Sequence, residues 1–170
     1  MLKAAGALLV LAAATGLGAA LVREKKRALA LTESWVSALE RMALEIRETH
    51  VPLPGMLEKL AGEGPGPLRE FFRELLAELN RTRWEELDRP WREGLGALRP
   101  ALLPEALALL EGLGDCLGKY EAEKQAGALR LAASRLEALG QEQRRELASS
   151  GRVILAVGAS VGVMAVILLL

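Results

Sequence analysis

Residues 31–46 read LTESWVSALERMALEI, and this stretch decides the fold. Leu31, Trp35, Leu39, Met42 and Ile46 recur at steps of four, four, three and four. Glu33, Ser37, Glu40, Arg41, Glu45 and Arg47 fill the other positions. One apolar stripe at that spacing predicts an amphipathic helix of about 22 residues, with its stripe turned to a core. The breaker HVPLPG, His50 to Gly55, ends it.

On the amino-terminal side the helix is preceded by Arg23, Lys25, Lys26 and Arg27, and before them by AAGALLVLAAATGLGAALV, residues 4–22, nineteen positions without a charge. The far end of the sequence repeats the pattern. VILAVGASVGVMAVILLL, residues 153–170, is eighteen residues without a charge, preceded by Arg144, Arg145 and Arg152. At 1.5 Å per residue such a segment reaches about 27 Å, close to the roughly 30 Å of a bilayer's hydrocarbon core. Both segments are expected to be transmembrane helices. The basic clusters flank the middle of the chain on both sides, so the positive-inside rule places residues 23–152 in the cytoplasm and both termini outside. The competing reading of residues 4–22 is a cleaved signal peptide, with Ala12 to Ala14 as a small-residue site. Signal peptides carry their charge before the apolar run, and here it follows. The charge placement favours an anchor.

Beyond the breaker, Pro54 opens a short second helix through Leu60, and GEGPGP, Gly62 to Pro67, reads as a loop. Leu68, Phe71, Phe72, Leu75, Leu76 and Leu79 mark a third helix. Thr82 and Glu85 have capping-box spacing for a fourth, carrying Trp84, Leu87, Trp91, Leu95 and Leu98, with Pro90 set to kink or break it at Arg89. A fifth starts at Pro104 and runs through Leu107, Leu110 and Leu113 to about Leu117. The last runs from about Glu121 to Leu147, with Ala126, Leu129, Ala133, Leu136 and Leu139 inward. Only Ser149, Ser150 and Gly151 separate it from the second apolar segment, which predicts rigid coupling. The fold class is all-α: a cytoplasmic bundle of about six helices, residues 23–152, flanked by transmembrane helices at 4–22 and 153–170. The three Trp residues lie well beyond the first apolar segment and read as core or interface anchors rather than an interfacial belt.

Composition removes several function classes. Lys plus Arg equals Asp plus Glu at 22 each, which offers no polyanion-binding signal and argues against nucleic acid. A single cysteine, Cys116, rules out an internal disulfide and a CxxC site; it reads as a small buried residue on a helix. His50 is the one histidine and lies in the breaker, so no metal site or cofactor is expected. No Walker loop, GxSxG or HExxH occurs, and Glu85–Glu86–Asp88 and Glu121/Glu123 are acidic clusters of the kind that coat a surface. The chain is not expected to be an enzyme or to bind a small-molecule substrate. A transporter subunit is disfavoured, because the apolar segments hold only Thr15 and Ser160 as polar residues. Gly158 and Gly162 have GxxxG spacing and are candidates for transmembrane packing, as are Ala14 and Gly18, and Ala12 and Gly16.

Several strings in order resemble one family. The MLK start, the immediate apolar run, Leu44–Glu45–Ile46, Pro52–Leu53–Pro54 and the abrupt apolar end resemble stage III sporulation protein AB of endospore-forming bacteria. That family is similar to the cytoplasmic domain of the F-type inner-membrane platform proteins of type II secretion and type IV pilus machines. The segment LGKYEAEKQ, Leu117 to Gln125, is similar to the family's LGxSDxEGQ string ahead of the final helix, with Tyr120, Glu121 and Lys124 in place of the hydroxyl, Asp and Gly. An aromatic residue usual after the EI pair is Glu48 here. The resemblance implies a membrane protein around the forespore, in a channel-like secretion assembly, that contacts a secretion-type ATPase, stage III sporulation protein AA. It also implies a contact surface at Gly118, Glu121, Glu123 and Gln125. The alternative is an F-type platform of a secretion or pilus machine outside sporulation.

Overall fold

The computed structural model describes residues 2–48, 53–64, 66–81, 87–117 and 121–169, with side chains described between residues 20 and 149 of these ranges. Among the described residues the chain is all-α, in six α-helices and one 3-10 turn: α1 Leu2–Glu48, α2 Leu53–Glu63, α3 Gly66–Leu79, α4 Asp88–Leu98, the 3-10 turn Arg99–Ala101, α5 Pro104–Glu111 and α6 Ala122–Leu169. It divides into two compact units. One is Ala28–Gln141, and the other combines Met1–Arg27 with Glu142–Leu170.

The first and last helices are longer than the periodicity predicts. Residues 2–48 form one helix, because Arg23 to Arg27 break the apolar pattern without breaking helix propensity. Residues 122–169 likewise pass through the Ser149–Ser150–Gly151 stretch without a break. Ser149 donates its hydroxyl to the Glu146 carbonyl at 2.8 Å, so the polar side chain is satisfied by its own helix. Both predicted membrane segments therefore have helical backbone. Among the described residues no helix is long and apolar enough to cross a membrane, but the side chains of residues 1–19 and 150–170 lie outside that description.

Prolines place most of the other boundaries. Pro54, Pro67 and Pro90 fall in the first turns of α2, α3 and α4, Pro104 begins α5, and Pro100 lies in the 3-10 turn. A first-turn residue has no intrahelical acceptor for its N–H, so proline costs nothing there. Pro90 lies in the first turn of α4, which starts at Asp88; the capping pair Thr82 and Glu85, with Trp84, lies outside the described residues. The GEGPGP loop is shorter than expected, since α2 extends to Glu63 and α3 begins at Gly66. Gly66 has φ +32°, a conformation L side chains rarely adopt, which lets α3 fold back onto α2. The expected fifth helix to Leu117 stops at Glu111, followed by turns through residue 117.

In the unit Ala28–Gln141 the predicted stripes form one core. Leu31, Trp35, Leu39, Met42 and Ile46 are buried, as are Leu68, Phe71, Phe72, Leu75 and Leu79, and Ala126, Leu129, Ala133 and Leu136; Leu139 packs at its edge. Trp35, Phe71, Phe72 and Trp91 meet at the centre, each ring within 6.5 Å of the other three and mostly edge to face. Trp91 donates its indole N–H to the Leu110 carbonyl at 2.8 Å, which ties α4 to α5. Thr32 is the one buried polar residue among those described, and its hydroxyl donates to the Ala28 carbonyl at 3.0 Å. Surface ion pairs link neighbouring helices: Arg41 of α1 meets Glu63 of α2 at 2.6 Å, and Lys59 of α2 meets Glu45 of α1 at 3.3 Å. The carboxylate of Glu63, first by its hydrogen bond and then by its charge, raises the Arg41 pKa further above its ordinary value. Exposed pairs of this kind contribute about 0–1 kcal/mol each, so the core and not the surface holds the bundle.

Candidate functional site

The candidate contact turn lies where α5 gives way to α6. Gly112 ends α5, and residues 112–117 continue as tight turns: Leu113 N–H bonds to the Leu110 carbonyl at 3.1 Å, and Cys116 and Leu117 N–H bond to the Leu113 carbonyl at 3.0 and 3.1 Å. Leu113 and Leu117 are buried and anchor the segment from below. Cys116, expected as a buried helical residue, is instead a half-buried free thiol in these turns. Glycines at 112 and 114 weaken a helix here by about 1 kcal/mol each relative to alanine, which explains the early end of α5.

Gly114 is buried against α4. A Cβ there would lie 2.7 Å from Asp88 Oδ1, 3.1 Å from Trp91 Cδ1 and 3.4 Å from Asp88 Cα. The Asp88 carboxylate is held in place, because Arg92 donates to it at 2.8 Å and to Asp115 at 2.9 Å. This fork staples the turn segment to α4. Its carboxylates, the Asp88 hydrogen bond foremost, keep the Arg92 pKa above its ordinary value. Replacing Gly114 with Ala must move the Asp88 side chain out of the fork or the buried Trp91 ring. A destabilisation of about 1–3 kcal/mol is expected, measured as a lower chemical-denaturation midpoint, with Gly96→Ala, which meets nothing within 4 Å, as the near-neutral control.

After this segment, Glu121 opens α6: its carbonyl accepts the Gln125 N–H at 3.0 Å. Glu123 lies in the first turn. Glu121 and Glu123 are exposed, and Gln125 is half-buried and already partnered. Asp115 is also exposed, at the other side of the connection. Gly118, with Tyr120, lies outside the described residues, as does His50. Gly158 and Gly162 belong to α6, in the part whose side chains are not described. The described residues give two exposed acidic features, Asp115 on a turn segment braced by Arg92 and Glu121 with Glu123 at the start of α6. The acidic first turn also suits the partial positive charge of a helix start. Sequence reasoning missed Asp115 and the Arg92 fork. Asp88 and Arg92 have i,i+4 spacing, but nothing local marks Asp115 as their partner.

Chemically this end offers charge and hydrogen bonds. Among the described residues there is no group of three His, Cys, Asp or Glu side chains that could hold a metal. A second surface feature, an open groove between α1 and α6, is lined by Ser37, Glu40, Arg41, Leu44 and Arg130. It too presents charges and one apolar side chain.

The class these elements define is a small all-α bundle whose first and last helices run on into apolar sequence. The chain belongs to the stage III sporulation protein AB family, whose sequence profile matches residues 3–170. The solved structure of a stage III sporulation protein AB (SpoIIIAB) has a TM-score of 0.64 to this chain at 19% identity, covers 72% of this chain and 97% of its own, and shares its fold. No curated protein matches.

Proposed function

We propose that this chain is a non-enzymatic membrane platform of a sporulation secretion-like assembly, linking a secretion-type ATPase, stage III sporulation protein AA, to membrane components. Residues 4–22 and 153–170 cross the membrane, residues 23–152 are cytoplasmic, and both termini lie outside. The acidic end carrying Glu121 and Glu123, with Gly118 and Gln125 beside them, meets the ATPase. Gly158 and Gly162 pack against a neighbouring span. Membership in the stage III sporulation protein AB family supports the sporulation context. The observation that carries the platform reading is α6, one helix from Ala122 to Leu169 that begins at the candidate contact turn and ends in the apolar segment. Such a helix can carry a displacement from a cytoplasmic partner to the bilayer.

Charge reversal tests the contact. With Glu121→Lys and Glu123→Lys together, the ATPase contact predicts loss of photocrosslinking from residues 121–125 to the ATPase in sporulating cells, with the melting temperature unchanged. A role confined to capping predicts the opposite: crosslinking retained and about 0.3–1 kcal/mol of stability lost per side chain. Retained crosslinking defeats the assignment of this turn. Gene neighbours separate the alternative, an F-type platform outside sporulation, by the presence of pilin and prepilin-peptidase genes.

A further inference from the structure

The chain's neutrality conceals a division of charge between its two units. Ala28–Gln141 holds 14 basic and 19 acidic residues, whereas Met1–Arg27 with Glu142–Leu170 holds 8 basic and 3 acidic. One unit is therefore at minus five and the other at plus five. Six of the eight basic residues of the second unit lie in two short runs of its helices, together with the acidic Glu24, Glu142 and Glu146. Arg23, Lys25, Lys26 and Arg27 lie on α1, and Arg144 and Arg145 on α6. At 100° per residue, positions 23, 25, 26 and 27 spread over about 200° of α1, wider than a stripe, and the exposed carboxylate of Glu24 occupies the remaining gap. All four are exposed, as are Arg144 and Arg145. Lys25, Lys26, Arg27 and Arg145 make no ion pair among the described residues. Directly before this collar, Ala20 is exposed and Leu21 is 58% exposed, the most exposed of the large hydrophobic residues described.

An exposed leucine next to a broad arc of cations is what a lipid–water boundary fits: the apolar side chain enters the acyl region while long basic side chains reach phosphates. We infer that Lys25, Lys26, Arg27 and Arg145 form a collar that binds the phosphodiester headgroups of anionic phospholipids in the bilayer, with Leu21 at the acyl boundary. The inference rests on the membrane reading above and adds a lipid preference to it. The occupant is lipid rather than an acidic protein because the basic arc covers more than half of the helix circumference and runs directly into apolar sequence, whereas a protein partner needs one face.

The test uses the full chain in phosphatidylcholine nanodiscs with and without phosphatidylglycerol, and native mass spectrometry of the released protein with its retained lipids. Phosphatidylglycerol is expected to be enriched several-fold over its bulk proportion. In the variant carrying Lys25→Gln, Lys26→Gln, Arg27→Gln and Arg145→Gln, that enrichment falls to the bulk ratio, because the side chains that attract the anionic headgroups are gone. Resistance to carbonate extraction stays as in the parent. A bulk lipid ratio in the parent, an enrichment the variant retains, or capture of an acidic protein by the collar at a bulk lipid ratio overturns the inference and leaves membrane insertion standing. Extraction of the parent chain by carbonate overturns the membrane reading and this inference together.

Discussion

Trp35→Ala is expected to unfold the bundle near physiological temperature. Trp35 is fully buried, and its ring centroid lies 5.1 Å from Phe71, 5.6 Å from Phe72 and 5.8 Å from Trp91. The rest of the described core is leucine and alanine with Met42, Met56 and Ile46, so these four rings hold together α1, α3 and α4. Truncating a buried tryptophan costs about 3–5 kcal/mol, through lost burial and the cavity left behind. Edge-to-face pairs contribute about 0.5–1.5 kcal/mol more, and two, with Phe71 and Trp91, are lost at once together with the tilted pair to Phe72. Against a typical stability of about 5–15 kcal/mol for a domain, that loss removes a third or more. The melting temperature should fall by more than about 10 °C, with loss of the near-ultraviolet circular dichroism that packed tryptophans give. Trp35→Phe separates shape from polarity. The Trp35 indole N–H is buried without a hydrogen-bond partner, so phenylalanine removes an unsatisfied donor as well as some area. Its loss should be less than half that of alanine. Leu44→Ala, at a position 48% exposed, should change stability by less than about 0.5 kcal/mol. A small effect at Trp35 would mean that the aromatic cluster is peripheral to the fold.

Much of this core was legible because helical burial has a period the chain repeats. Each residue named on the first, third and last stripes lies in or against the core, with Leu76 and Leu139 at its margin. Helix ends were less legible, and for one reason: proline and glycine each have two meanings. Proline both breaks a helix and begins one, and Pro90 does the second, within two residues of the start of α4. Glycines at 112 and 114 end α5 early because Gly114 is needed for close approach to α4, a tertiary demand that no local pattern announces. The joining of the apolar segments to α1 and α6 was half visible. The short Ser149–Gly151 stretch pointed to continuity at one end, while the basic run at 23–27 concealed it at the other. At the candidate site, Glu121 and Glu123 could be placed at a helix start from sequence alone. The brace through Arg92 could not, because Asp115 is 23 residues from its partner. Charge was the least legible property: equal totals hid a plus-five and a minus-five unit until the fold divided the chain at Arg27 and Gln141.

A flexible insertion of glycine and serine after Ser150 is expected to reduce spore formation to the level of a deletion while membrane abundance and ATPase crosslinking stay unchanged. The argument is mechanical. α6 is one helix from Ala122 to Leu169, and the proposed platform role requires its hydrogen-bond ladder to carry an axial or rotational push toward the apolar segment. Glycine and serine linkers behave as random coils, and an insertion of about ten residues replaces a rod with a tether that transmits neither. Two further variants separate stiffness from spacing. Seven residues of strong helix formers at the same place add about two turns, roughly 10 Å, and return the helix face close to its original direction, so function should largely survive. The flexible insertion placed between α2 and α3, after Gly64, lengthens a surface connection without touching α6, and should be tolerated at a cost of well under 1 kcal/mol per doubling of the loop. Wild-type spore yield with the flexible insertion after Ser150 would leave the chain a passive tether. Failure of the helical insertion as well would mean that the distance between turn and membrane, rather than rigidity, is what the assembly requires.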